Sequence, residues 1–159
     1  MPVSQPRVTV RTIRTASPEA TRSLAAGLAA AARAGDLIAL RGELGAGKTQ
    51  FAKGFGAGLG VAATINSPSY VLMTEYAGRL PLFHLDLYRL DDAADALAGG
   101  LLDERQASGV TLVEWAERFG PLLPGARLDV AIEGTGDEAR TLHLTATEPG
   151  LERYLEAIR

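Results

Sequence analysis

Residues 42–49 read Gly-Glu-Leu-Gly-Ala-Gly-Lys-Thr and satisfy the pattern G-x-x-x-x-G-K-[ST]. The motif follows a short apolar run at 37–40 and precedes helical spacing from 48 to 59, so it sits in a strand–turn–helix context. Its glycines let the backbone curl until successive amides and the positive end of the next helix converge on a phosphate chain. In such a loop Lys48 reaches the β- and γ-phosphates, and the Thr49 hydroxyl ligates a magnesium ion bridging them. At this chain's own residue frequencies the four fixed positions coincide by chance roughly three times in a thousand such sequences. Only Lys48 and Lys53 are lysine among sixteen basic residues, and one of the two falls where an ammonium must meet phosphate oxygens. Lys53 reads as a solvated helix residue.

The chain of 159 residues is 47% hydrophobic and 22% charged, which fits a single domain over 1–159. A formal charge of -3 provides no global positive field for direct nucleic-acid binding. With no cysteine, disulfides, thiolate metal sites and cysteine nucleophiles are excluded, and His84 and His143 alone cannot build a histidine-rich metal cage. The first residues carry no apolar signal core, and no stretch approaches the ~18 apolar residues of a membrane span. A cytoplasmic location without membrane association is the expectation.

Residues 7–13 alternate as a first strand, and Ser17-Pro18-Glu19 opens a helix with an N-cap, a first-turn proline and an early acid. Leu24, Leu28 and alanines fill the apolar side of that helix, and Gly35 stops it. The 37–40 run has the pattern of a strand covered on both faces of a parallel sheet. In the helix over 48–59, Gly54, Gly56 and Gly58 each cost about 1 kcal/mol relative to alanine, so close packing or fraying is expected. Strands over 69–76 and 80–85 flank a turn at 77–79, and Asp91-Asp92 cap a short helix through Leu97, broken by Gly99-Gly100. A buried-type strand at 110–113 ends on Glu114-Trp115. Leu128, Val130 and Ile132 alternate with polar or small residues, as do Leu142 and Leu144. With the turn at 134–137 between them they predict an antiparallel hairpin, and a last helix spans 151–158. The whole is α/β with an antiparallel appendage.

Phosphoryl chemistry needs an acid near the metal, normally at a neighbouring strand end, and both Asp86 and Glu114 qualify. Spacing alone does not rank them. Asp91, Asp92 and Asp95 read as helix-start and surface acids. There is no N-K-x-D, no D-x-x-G after the loop and no G-x-G-x-x-G, which disfavours guanine and dinucleotides and leaves adenine as the expected base. Neither histidine lies in a triad or zinc motif, and His143 reads as structural surface.

Four segments in order carry a wider resemblance: residues 42–49, Ser-Pro-Ser-Tyr at 67–70, His-Leu-Asp-Leu-Tyr-Arg at 84–89 and Val-Glu-Trp at 113–115. Together they resemble the TsaE (YjeE) family, small bacterial P-loop ATPases required for the threonylcarbamoyladenosine modification of tRNAs that read codons beginning with A. The resemblance runs from about Ser17 through Trp115. It implies a P-loop NTPase-like three-layer domain with a mostly parallel central sheet and an antiparallel C-terminal hairpin. It also implies that Glu43, Leu44, Gly45, Ala46, Gly47, Lys48, Thr49 and Gln50 bind ATP, with Trp115 beside the nucleotide. Thr49 and Asp86 would hold Mg2+, and Glu114 would be a second functional acid near the γ-phosphate, binding the metal or orienting water. Lys48, Asp86 and Glu114 are then the catalytic set. The implied partners are TsaD and TsaB, with tRNA reached through that complex. The 67–70 segment resembles the family's switch-like loop, with Ser69 in place of threonine. Tyr88 and Arg89 match the family pattern, and Arg89 has a plain alternative as a surface ion-pair partner. Two other readings compete: a small-molecule kinase with Arg89, Arg105 or Arg118 on a lid, and a nucleotide-gated interaction module in which occupancy alone orders 67–70.

Overall fold

The computed structural model describes residues 9–43, 45–66 and 72–158. Leu37–Gly42 (β2) is the strand from which the rest is built. Its first four residues are buried, and it is hydrogen-bonded on both sides to parallel neighbours, Val110–Glu114 (β5) and Leu128–Glu133 (β6). A strand with no solvent face must be apolar on both, which is why 37–40 forms a continuous aliphatic run instead of an alternation.

The seven-stranded sheet has the order β1-β7-β6-β2-β5-β4-β3. Its centre is parallel, from β6 through β2 and β5 to Leu82–Asp86 (β4). Both margins are antiparallel. Met73–Tyr76 (β3) closes one edge against β4, and the hairpin of β6 with Arg140–Ala146 (β7) carries Thr9–Thr15 (β1) at the other. The first strand continues two residues beyond its expected end, to Thr15, and pairs with the hairpin, while residues 7–8 of the expected strand lie outside the described residues. Of the strand expected over 69–76, residues 69–71 lie outside the described residues.

Helices α1 (Pro18–Ala29), α2 (Lys48–Gly58) and α4 (Glu152–Glu156) cover one face of the sheet over a core that includes Ile38, Leu40, Leu112, Val130 and Leu144. On the other face a thinner layer, α3 (Ala93–Ala98) and the 3-10 segment Ala116–Leu122, covers only the parallel half, around Ala39, Phe83, Leu85 and Val113. Ser17 caps α1 by accepting from the Ala20 amide at 3.0 Å, and Asp92 caps α3 in the same way from Asp95 at 3.0 Å. The first helix stops at Ala29, six residues before Gly35. Tighter i to i+3 turns carry the chain on to Ala32, and Gly35, at φ +92°, makes the reversal into β2. The last helix begins as a 3-10 turn at Pro149–Leu151.

The glycines of α2 are there for close approach. A Cβ on Gly54 would lie 2.1 Å from the Arg22 carbonyl oxygen, one on Gly58 2.4 Å from that of Ala26, and one on Gly56 1.9 Å from Ile65 Cδ1. Gly54 and Gly58 are one helical turn apart and face Arg22 and Ala26, also one turn apart, so the two backbones meet without side chains between them. Gly54→Ala should therefore reverse the usual sign. Instead of gaining about 1 kcal/mol of helix propensity, the variant is expected to lose about 1–3 kcal/mol in urea unfolding through overpacking.

Candidate functional site: a glycine-rich loop beside two strand-end carboxylates

β2, β4 and β5 are mutually parallel, so their carboxyl ends share one edge of the sheet, where open α/β sheets place ligands. The 42–49 loop leaves β2 there, and pairing of β4 with β5 sets Asp86 directly opposite Glu114. Spacing could not rank the two acids, and the structure places them side by side.

The loop closes into α2 through Gly47, whose φ of +108° only glycine adopts readily and which carries no side-chain cap. The first amides of α2 have no acceptor within the helix, and its positive dipole end faces outward. Lys48 is 5% exposed. Its ammonium donates to the carbonyls of Gly42 at 2.5 Å and Glu43 at 2.9 Å, and lies 3.9 Å from the centroid of the Trp115 ring. Burial lowers the Lys48 pKa from its ordinary value, opposed by the negative charges of Glu114, Glu117 and Asp86.

Thr49 donates its hydroxyl to Glu114 Oε1 at 3.0 Å. The other Glu114 oxygen lies 2.6 Å from His84 Nε2. Glu114 is 2% exposed and His84 fully buried, so this carboxylate is held between two polar groups in a dry setting. His84 Nδ1 has no hydrogen-bond partner among the described residues. With Nε2 donating to Glu114, His84 supplies this carboxylate with a buried donor from the neighbouring strand. Asp86 is partly exposed and accepts from the Tyr88 amide at 3.0 Å.

Trp115 is the sole non-glycine residue with positive φ among the described residues, at 58°. A bulky side chain is held in that region only where its surroundings over-determine it. Here the Tyr88 ring lies against the indole at a 46° tilt with centroids 5.1 Å apart, and Lys48 covers its face. Trp115 also packs against the core around Val113 and Phe119, so it joins core to site.

Glu43 is exposed, and Ala46 is buried under the loop apex. The Gln50 side chain turns away from the loop to accept from Arg22 of α1. Leu44 and the 67–70 segment lie outside the described residues. Arg105 is engaged with Asp103, and Arg118 lies 5.9 Å from the Tyr88 ring centroid. Lys53 is partly exposed, and His143 lies half-exposed on β7, bonded to Thr12 and paired with Glu133. Two residues of the site were missed in the sequence. His84 shares the inward parity of Asp86, a signal that acquires meaning only once the register with β5 is known. Arg140, described below, carries no local signal at all.

The donor set fits a magnesium ion. A hydroxyl and two carboxylates are hard oxygen donors, and Mg2+ binds through one or two carboxylates together with nucleotide phosphates, without an all-protein cage. No group of three or more His, Cys, Asp or Glu that could hold a metal is gathered among the described residues.

Replacing His84 with leucine is expected to destabilise the fold by about 1–3 kcal/mol in urea unfolding, because Glu114 stays buried with one donor fewer. His84→Gln, which can place an amide donor near the Nε2 position, should recover part of the loss.

The family model for threonylcarbamoyl adenosine biosynthesis protein TsaE matches residues 15–142, extending past the four motifs into the hairpin. The tRNA threonylcarbamoyladenosine biosynthesis protein TsaE of Bacillus subtilis is 42% identical over 146 residues, 91% of each chain. The protein of the same name from Streptomyces coelicolor is 41% identical over 143 residues, 86% of this chain and 95% of the relative. A crystal structure of Bacillus subtilis YdiB superposes with a TM-score of 0.75 at 38% identity, covering 94% of each chain. No helix among the described residues is long and apolar enough to cross a membrane. With a family model spanning most of the chain and relatives of similar length above 40% identity, the chain belongs to the TsaE family.

Proposed function

We propose that this protein is the ATP-binding and ATP-hydrolysing accessory subunit of tRNA threonylcarbamoyladenosine synthesis in the cytoplasm, acting with TsaD and TsaB and reaching tRNA through them. The observation that carries the reading is the Lys48–Thr49–Glu114 arrangement. A buried ammonium and a hydroxyl sit at a helix N-terminus, opposite two strand-end carboxylates in register. The amides of the loop and Lys48 bind the phosphate chain. Thr49 and Asp86, with Glu114 beside them, would hold a magnesium ion through their oxygens, and that ion would supply positive charge against the phosphates. Glu114, fixed by Thr49 and His84, orients the attacking water. Trp115 backs Lys48 and keeps bulk water from one side of the ammonium.

The acidic balance of the chain supports docking to proteins over direct capture of tRNA. Adding the purified chain with ATP to reconstituted TsaD and TsaB should raise tRNA modification turnover. Unchanged turnover would contradict the proposal. A phosphorylated small molecule in place of free phosphate would identify a kinase instead.

A further inference from the structure

Arg140, at the start of β7, reaches across to the apex of the phosphate loop. Its Nε donates to the Ala46 carbonyl at 3.0 Å and Nη2 to the Gly45 carbonyl at 3.3 Å. The same guanidinium holds the hairpin turn through Gly136 O at 2.9 Å and through Glu138 O. All four acceptors are backbone carbonyls, so among the described residues this arginine binds peptide planes and not a counter-charge.

We propose that Arg140 is a positioning residue of the phosphate site: it pins the two apical peptide planes of the loop so that the Gly47 amide stays turned toward the phosphates. The proposal rests on the nucleotide reading above. The Ala46–Gly47 peptide ends on a glycine at φ +108°, and the Gly45–Ala46 peptide begins on one at φ +83°. Planes bounded by glycine rotate with little steric resistance; the Ala46 amide donates to the Glu43 carbonyl at 3.0 Å within the loop, and Arg140 adds to that internal tie from outside it. In a planar trans peptide the N–H points away from the C=O. A donor fixed on Ala46 O therefore turns the Gly47 N–H to the opposite side, where α2 begins and its first amides lack acceptors. A charged donor on the carbonyl also polarises the peptide and strengthens its amide as a donor.

Three features suit arginine and not lysine. The contacts fall on both sides of a planar fork, they engage three different nitrogens, and they join two segments 90 residues apart in sequence. A lysine ammonium would keep the positive charge near the loop but hold fewer of these planes at once.

The test uses Arg140→Ala and Arg140→Lys in the full chain, with Glu138→Ala as a control that keeps the carbonyl contact. Amide exchange at Ala46 and Gly47 is read by NMR without nucleotide, and MgATP affinity by calorimetry. Both Arg140 variants should speed exchange at Ala46 and Gly47 and weaken MgATP binding on the order of tenfold, with Glu138→Ala near wild type. Wild-type affinity in Arg140→Lys would show that charge alone matters and overturn the proposal. Unchanged exchange at Ala46 and Gly47 in Arg140→Ala would overturn it as well. Wild-type protein that binds no ATP would instead defeat the nucleotide reading, while the exchange measurement would still decide whether Arg140 pins the loop.

Discussion

Lys48→Ala is expected to weaken ATP binding by about a hundredfold or more in calorimetry, roughly 3 kcal/mol. The ammonium is nearly buried, is already directed by the Gly42 and Glu43 carbonyls, and has lost most of its hydration before a phosphate arrives. Its attraction to phosphate is thus less diluted by water than that of a surface lysine. Because burial lowers the pKa of Lys48, ATP affinity should also fall as pH rises through that lowered value, before the usual 10.5 is reached. Lys48→Arg, which stays charged, should remove this alkaline fall even if its geometry is poorer. The single tryptophan of the chain lies 3.9 Å from the ammonium, so its emission should change on ATP addition in the wild type and respond far less in Lys48→Ala.

Glu114→Gln is expected to lower the hydrolysis rate by roughly 10²–10³-fold while changing ATP affinity only a few-fold, a kcat effect over a KM effect. Glutamine keeps the volume of this buried side chain, and its oxygen can still accept from either Thr49 or His84. It cannot accept from both, and it brings no negative charge to the metal side of the loop. Phosphate release under single-turnover conditions separates this loss from weaker binding. Asp86→Asn carries a second question. If that variant lost hydrolysis yet still supported repeated tRNA modification by the partners, nucleotide occupancy would suffice and the ATPase reading would fail.

The loop, its strand and its helix were legible because eight consecutive residues and their flanks carry the whole signal. The caps at Ser17 and Asp92 and the β6–β7 hairpin were readable for the same local reason. Asp86 and Glu114 could be nominated but not related to each other, since their apposition is a register between parallel strands separated by an α3 crossover. His84 stayed silent because its partner, 30 residues away, is chosen by that register. Gly54 and Gly58 looked like faults in a helix until the backbone of α1 was seen against them. Arg140 was invisible, because nothing near it in sequence announces contact with carbonyls more than 90 residues earlier.

Titrating ATP, with magnesium present, into the folded chain in a calorimeter tests the central claim most directly. The account predicts saturable heat with one ATP per chain, lost in Lys48→Ala. A folded wild-type protein that gives no heat at several temperatures would contradict it.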